Sequence, residues 1–85
     1  MGAVDAAGAG RVVLYARAGC HLCDEARPVV ADVAASAGVG WAERDVDADD
    51  DVRAQYGELV PAVTVDGVLV DYWRIDPARL RRALA

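Results

Sequence analysis

Two cysteines, Cys20 and Cys23, lie three apart in Gly19-Cys20-His21-Leu22-Cys23, and the chain has no others. This spacing lets one thiolate attack a disulfide while the second, a helical turn away, resolves the mixed disulfide that forms. A zinc site asks for four ligands, and two Cys with the single His21 between them fall short within one chain. A purely structural disulfide is unattractive, because closing so short a loop adds little stability. The pair therefore points to thiol–disulfide exchange, with Cys20 and Cys23 as catalytic residues. Such chemistry needs no cofactor beyond the redox-active Cys20–Cys23 disulfide and an external thiol reductant. Two other readings stay open: a non-catalytic binding module, and a CxxC that shares a metal or iron–sulfur site between chains.

The elements around the pair decide which thiol reacts. Residues 11–16 (RVVLYA) are a β-branched and aromatic run that reads as a buried strand. After a short loop, Leu22, Ala26, Val29, Val30, Val33, Ala34 and Ala37 form one apolar stripe at helical period, with Asp24, Glu25, Arg27 and Asp32 turned outward. Gly38 and Gly40 end that helix. Cys20 thus falls at or just before a helix N-terminus, where unpaired N–H groups and the helix dipole stabilise a thiolate and pull its pKa below the ordinary ~8.5. Cys23, one turn in, is expected to be more buried and to stay protonated until needed. His21 has two readings: an imidazolium that lowers the Cys20 pKa further, or an exposed spacer.

Residues 41–46 read as an edge strand of mixed polarity. The acidic run 47–51 reads as the cap and first turn of a short helix with Val52 and Tyr56 inward and Gly57 at its end. Residues 62–65 and 68–72 flank Asp66-Gly67, the strongest short hairpin signal in the chain. Asp76-Pro77 is an N-cap followed by proline at the first helical position, and Leu80, Ala83 and Leu84 supply that helix with its buried face. The order is β-α-β-α-β-β-α. The first two strands should be parallel with a right-handed crossover, and the hairpin antiparallel to them, giving an α/β fold with a mixed four-stranded sheet flanked by helices. Val60-Pro61 stands just before the third strand, a common place for proline, and spacing alone does not make the bond cis.

Composition narrows the partners. Eighty-five residues make one domain, assigned to 11–85 behind a small-residue tail, 1–10, that lacks the basic start and greasy stretch of a secretory signal. A cytoplasmic location is the corresponding expectation. The net charge of −5, from fourteen acids against nine arginines and no lysine, would repel nucleic acid. No apolar run approaches the ~20 residues of a membrane span. A monomer acting on a protein disulfide or a low-molecular-weight thiol is expected. Arg79, Arg81 and Arg82 complement the dipole at the end of the last helix and need no ligand.

A strand, a Cys-x-x-Cys at the next helix start, Val60-Pro61 before a hairpin and a closing helix together resemble the glutaredoxin and thioredoxin superfamily. Within it, the chain resembles the compact bacterial glutaredoxin-like proteins with Cys-x-Leu-Cys. The likeness spans residues 11–84 and implies the thioredoxin fold. It also implies a cis Pro61 lying against the cysteines, and a Val60 backbone that pairs with substrate like an added strand. Pro28, eight residues after Cys20, resembles the proline that kinks the active-site helix of thioredoxins. Arg17 stands where glutathione-binding relatives carry Lys, so the resemblance implies that it could meet a substrate carboxylate; Val60 and Pro61 position the substrate, Arg17 and His21 tune the charge, and these four are the candidate substrate-binding residues. Asp71-Tyr72-Trp73-Arg74 replaces the usual Gly-Gly and acid, putting two rings and the Asp71 charge where a glutathione backbone would lie. Trp73 is read first as a large residue covering the core edge, ahead of a shelter over the site or a contact for a partner.

Overall fold

A β-branched run takes extended backbone, and a stripe at 3.6 spacing takes a helix that lays the stripe on the strand's sheet. The computed structural model describes residues 11–85; the tail expected over 1–10 lies outside them. The elements are β1 (Val12–Ala16), α1 (His21–Ala37), β2 (Trp41–Asp45), a 3-10 turn (Val46–Ala48), α2 (Asp50–Tyr56), β3 (Ala62–Val65), β4 (Val68–Tyr72) and α3 (Pro77–Leu84). The sheet order is β2-β1-β3-β4. β1 and β2 are parallel, and β3 is antiparallel to β1 and β4. This is the mixed sheet expected, with β2 on an edge as its polarity implied.

Each helix begins where its cap chemistry places it. Asp76 Oδ1 accepts the Ala78 N–H at 2.9 Å and starts α3, with Pro77 at the first helical position. Gly38, at φ 72°, closes α1 in the left-handed region that only glycine adopts readily. The Asp66-Gly67 turn has both φ values positive, 52° and 84°, the requirement of a type I′ hairpin. Capping is shared between the acidic run and a residue before it, which spacing did not foresee. Asp45 caps the 3-10 turn, while Asp49 caps α2 by accepting from Asp51 and Val52. Val46, assigned to the end of the second strand, belongs to that turn and is fully buried.

β1 is buried on both faces. Val12, Leu14 and Ala16 join Val63 and Val65 beneath α1 and α3, packed on Cys23, Ala26, Val30, Val33 and Leu80. On the other face Tyr15 and Ala62 pack with Val46 and Val52, and the Tyr15 and Tyr56 rings stack at 4.1 Å. Burial raises the Tyr56 phenol pKa, with the Tyr15 hydroxyl adding to the shift. The expected inner face of α3 needs one correction. Leu80 is fully buried and Leu84 partly, but Ala83 is exposed, because the short helix packs on α1 and β4 through the side that carries Leu80. In α1, Ala37 is exposed in the last turn, and Cys23 takes a place in the buried stripe.

Candidate functional site

The β1–α1 loop turns tightly at residues 17–20. Gly19 adopts φ 75°, and the Cys20 N–H donates to the Arg17 carbonyl at 3.3 Å. The turn delivers Cys20 as the N-cap of α1, with extended backbone at φ −92° and ψ 113°. Its Sγ accepts the Cys23 N–H at 3.1 Å, the place an Asp or Ser oxygen fills in an ordinary cap. Cys20 and Cys23 are joined as a disulfide, with Cα atoms 5.2 Å apart. Their surroundings differ: Cys20 is half-buried, whereas Cys23 is 0% exposed in the main core. Only Cys20 can meet another molecule without the helix moving. α1 runs unbroken through the exposed Pro28, although that residue brings no N–H for the carbonyl one turn back.

The Val60–Pro61 bond is cis. Pro61 is buried; Val60 is half-buried and packs against both core clusters, sharing the edge of the larger one with Cys20. His21 is exposed. Arg17 is engaged within the chain. Its Nε and Nη2 donate to the two Asp47 carboxylate oxygens at 2.9 and 3.1 Å, and Nη1 donates to the Gly57 carbonyl at 3.2 Å. The hydrogen bonds to Arg17 lower the Asp47 pKa, and the same bonds raise that of Arg17. Nearby, Arg27 grips Glu43 through two bonds of 2.7 and 2.8 Å and lowers its pKa.

Two features escaped the sequence reading. Trp73, 54% exposed, has φ 66°, which is costly for a bulky residue. It is held there by its N–H to the Pro61 carbonyl at 2.7 Å and by its indole N–H to the Glu58 carbonyl at 3.1 Å. With Leu22, Val29, Arg74 and Ile75 it lines a cleft of about 220 Å³, opening into a shallower one against Tyr72. Trp73 thus walls a cleft beside α1 and does not lie over the core. Asp71 is the second. A bulge in β4 sets Asp71 opposite Val63, on the side of the main core. There its carboxylate accepts the N–H groups of Tyr72 and Asp76 at 2.9 and 2.8 Å, with Arg79 at 3.6 Å. Its charge is met by the start of α3. A positive-φ tryptophan and a bulge leave no periodicity signal, so neither was legible beforehand.

A family model described as the Glutaredoxin-like domain (DUF836) matches residues 11–85. The chain belongs to this family. An uncharacterized protein of Mycobacterium tuberculosis is 32% identical over 80 residues, covering 88% of this chain and 82% of that one. The X-ray structure of a structural-genomics target protein from X. campestris superposes with a TM-score of 0.70 at 34% identity, covering 86% of this chain and 93% of that one. A thioredoxin of Fasciola hepatica superposes with a TM-score of 0.61 at 25% identity over 95% of this chain and 85% of its own. The family member described here therefore has the thioredoxin fold and carries a close cysteine pair at the head of its first helix. Among the described residues, no three His, Cys, Asp or Glu side chains cluster as a metal site would need, and no helix is long and apolar enough to cross a membrane.

Proposed function

We propose that this chain is a thiol–disulfide oxidoreductase in which Cys20 is the nucleophile and Cys23 the resolving thiol. One observation carries the assignment: the reachable sulfur, Cys20 Sγ, is the N-cap of α1 and already accepts a backbone N–H, while Cys23 is fully buried. In the dithiol form that N–H and the helix dipole favour a thiolate on Cys20 over a thiol. The thiolate attacks one sulfur of a substrate disulfide, and the other substrate sulfur leaves as a thiolate and takes a proton. Cys23 then loses its proton and attacks Cys20 Sγ, expelling the second substrate thiol. The substrate has gained two electrons and the Cys20–Cys23 pair has lost them, to be restored by an external thiol without a further cofactor. Val60, beside Pro61, lends its backbone to the incoming peptide, and His21, between the two cysteines in sequence, is exposed to solvent. A monomer in the cytoplasm acting on a protein disulfide or a small thiol is the setting this reading implies.

The test is a pair of single substitutions assayed on a disulfide-linked peptide with dithiothreitol as reductant. Cys20→Ser is expected to abolish peptide reduction. Cys23→Ser, reduced beforehand and freed of dithiothreitol, is expected to accumulate one peptide, disulfide-bonded to Cys20, visible by mass spectrometry. An adduct on Cys23 in the Cys20→Ser protein would reverse the assignment, and full activity in both variants would end it.

A further inference from the structure

Arg17 sits in the turn that carries Cys20, and its backbone closes that turn through the Cys20 N–H. Its side chain reaches the other way. Two nitrogens hold Asp47 in the 3-10 turn, and the third holds the carbonyl of Gly57, three residues before Val60. Each guanidinium nitrogen therefore makes one bond within the chain, and the Nε–Nη2 edge meets Asp47 in the parallel two-bond geometry that arginine makes best with a carboxylate. One side chain joins the segment bearing the nucleophile to the segment leading into Val60-Pro61. The Gly57 end is itself firm: Gly57 is buried, its N–H bonds the Arg53 carbonyl at 2.8 Å, and a Cβ there would stand 2.5 Å from that same oxygen. A substrate carboxylate could take the two-pronged Nε–Nη2 edge of Arg17 only by displacing Asp47.

We infer that Arg17 is a positioning residue, clamped by Asp47 so that Cys20 and the Val60-Pro61 segment keep a fixed separation, and that it is not a ligand for the substrate. The inference rests on the exchange reaction proposed above, but the clamp can be read without activity. The two roles give opposite signs for one substitution. If Arg17 binds substrate, Asp47→Asn releases it and favours acidic substrates. If Arg17 is clamped, Asp47→Asn loosens the site as Arg17→Gln does.

The experiment uses the full chain and two disulfide-linked peptides identical except for a free or an amidated C-terminus. Arg17→Gln, Asp47→Asn and the double variant are each expected to lose roughly two- to fivefold in kcat/KM, the range of one exposed ion pair. The loss should fall on KM, be equal for both peptides, and be no greater in the double variant than in either single one. Direct reduction of the Cys20–Cys23 disulfide by dithiothreitol, which needs no peptide platform, should keep its wild-type rate and potential. Arg17→Lys, with the charge but not the fork, should fall between wild type and Arg17→Gln. Amide hydrogen exchange across 17–20 and 57–60 should quicken in both single variants. A rise in kcat/KM for the free-carboxylate peptide alone in Asp47→Asn would overturn the clamp and make Arg17 a substrate ligand. Additive losses, a changed potential or unchanged amide exchange would each overturn it as well. Quickened exchange in a protein that reduces neither peptide would keep the clamp and refute the proposed function instead.

Discussion

Asp71 offers a sharp quantitative test, because a buried carboxylate here ties two structural segments together. Its side chain is 9% exposed, and its two oxygens accept separate backbone N–H groups, Tyr72 at the end of β4 and Asp76 at the N-cap of α3. Arg79 stands 3.6 Å away but is 56% exposed, so its pairing is largely screened. Asp71→Ala leaves both N–H groups without their acceptor. Each such loss costs about 1–3 kcal/mol, and since Tyr72 and Asp76 are themselves exposed, water brings each toward the lower end. The expected destabilisation is about 2–4 kcal/mol for Asp71→Ala. Asp71→Asn keeps one acceptor and turns an NH₂ toward the other donor, for about 1–2 kcal/mol. Arg79→Ala should cost less than about 1 kcal/mol. Urea unfolding with linear extrapolation measures all three, and the m-value should not change. Two results would refute the reasoning: Asp71→Asn within ~0.5 kcal/mol of wild type, or Arg79→Ala as costly as Asp71→Ala. The first would mean that the backbone bonds contribute nothing net, the second that the ion pair carries the effect. Because the Tyr72–Asp76 segment also carries Trp73, bonded to Pro61, the same variants should weaken peptide turnover in the same order.

The other expectations are simpler. Leu80→Ala empties a fully buried site under α1 and should cost about 3 kcal/mol by urea unfolding, whereas Ala83→Ser, on an exposed position, should be near neutral. Turnover in a glutathione-coupled mixed-disulfide assay should be poor, because the resemblance to glutaredoxins puts Tyr72 and Trp73 where a small thiol would need bare backbone; turnover like that of an ordinary glutaredoxin would contradict this. The Glu43 carboxyl titrates lower in the folded chain than its ordinary 4.5, so the Arg27–Glu43 pair stabilises above that pH and its contribution is lost as pH falls through the folded value. Glu43→Gln should therefore flatten the acid limb of the stability–pH curve, and added salt should shrink the difference because the pair is partly exposed.

Much of the architecture was legible in the chain alone because it is set by neighbours in sequence. Period-3.6 apolar spacing made α1, Asp66-Gly67 made the hairpin, Asp76-Pro77 started α3, and the CxxC between a strand and a helix placed Cys20 at a helix N-terminus. Each depends on the backbone preferences and hydrogen bonds of residues within one or two turns. Only the tertiary structure could decide what depends on residues brought together from afar. Arg17 was expected to face a substrate carboxylate and instead holds Asp47 and Gly57, thirty and forty residues away. Asp71 was expected to repel a ligand and instead caps the approach to α3, because one extra residue in β4 shifts the pairing that sets which face a side chain takes. Trp73 was expected over the core edge and instead stands out at positive φ, held by two carbonyls on the segment 58–61. Charged and aromatic side chains long enough to choose among several partners take the ones the fold presents, and no local pattern records that choice.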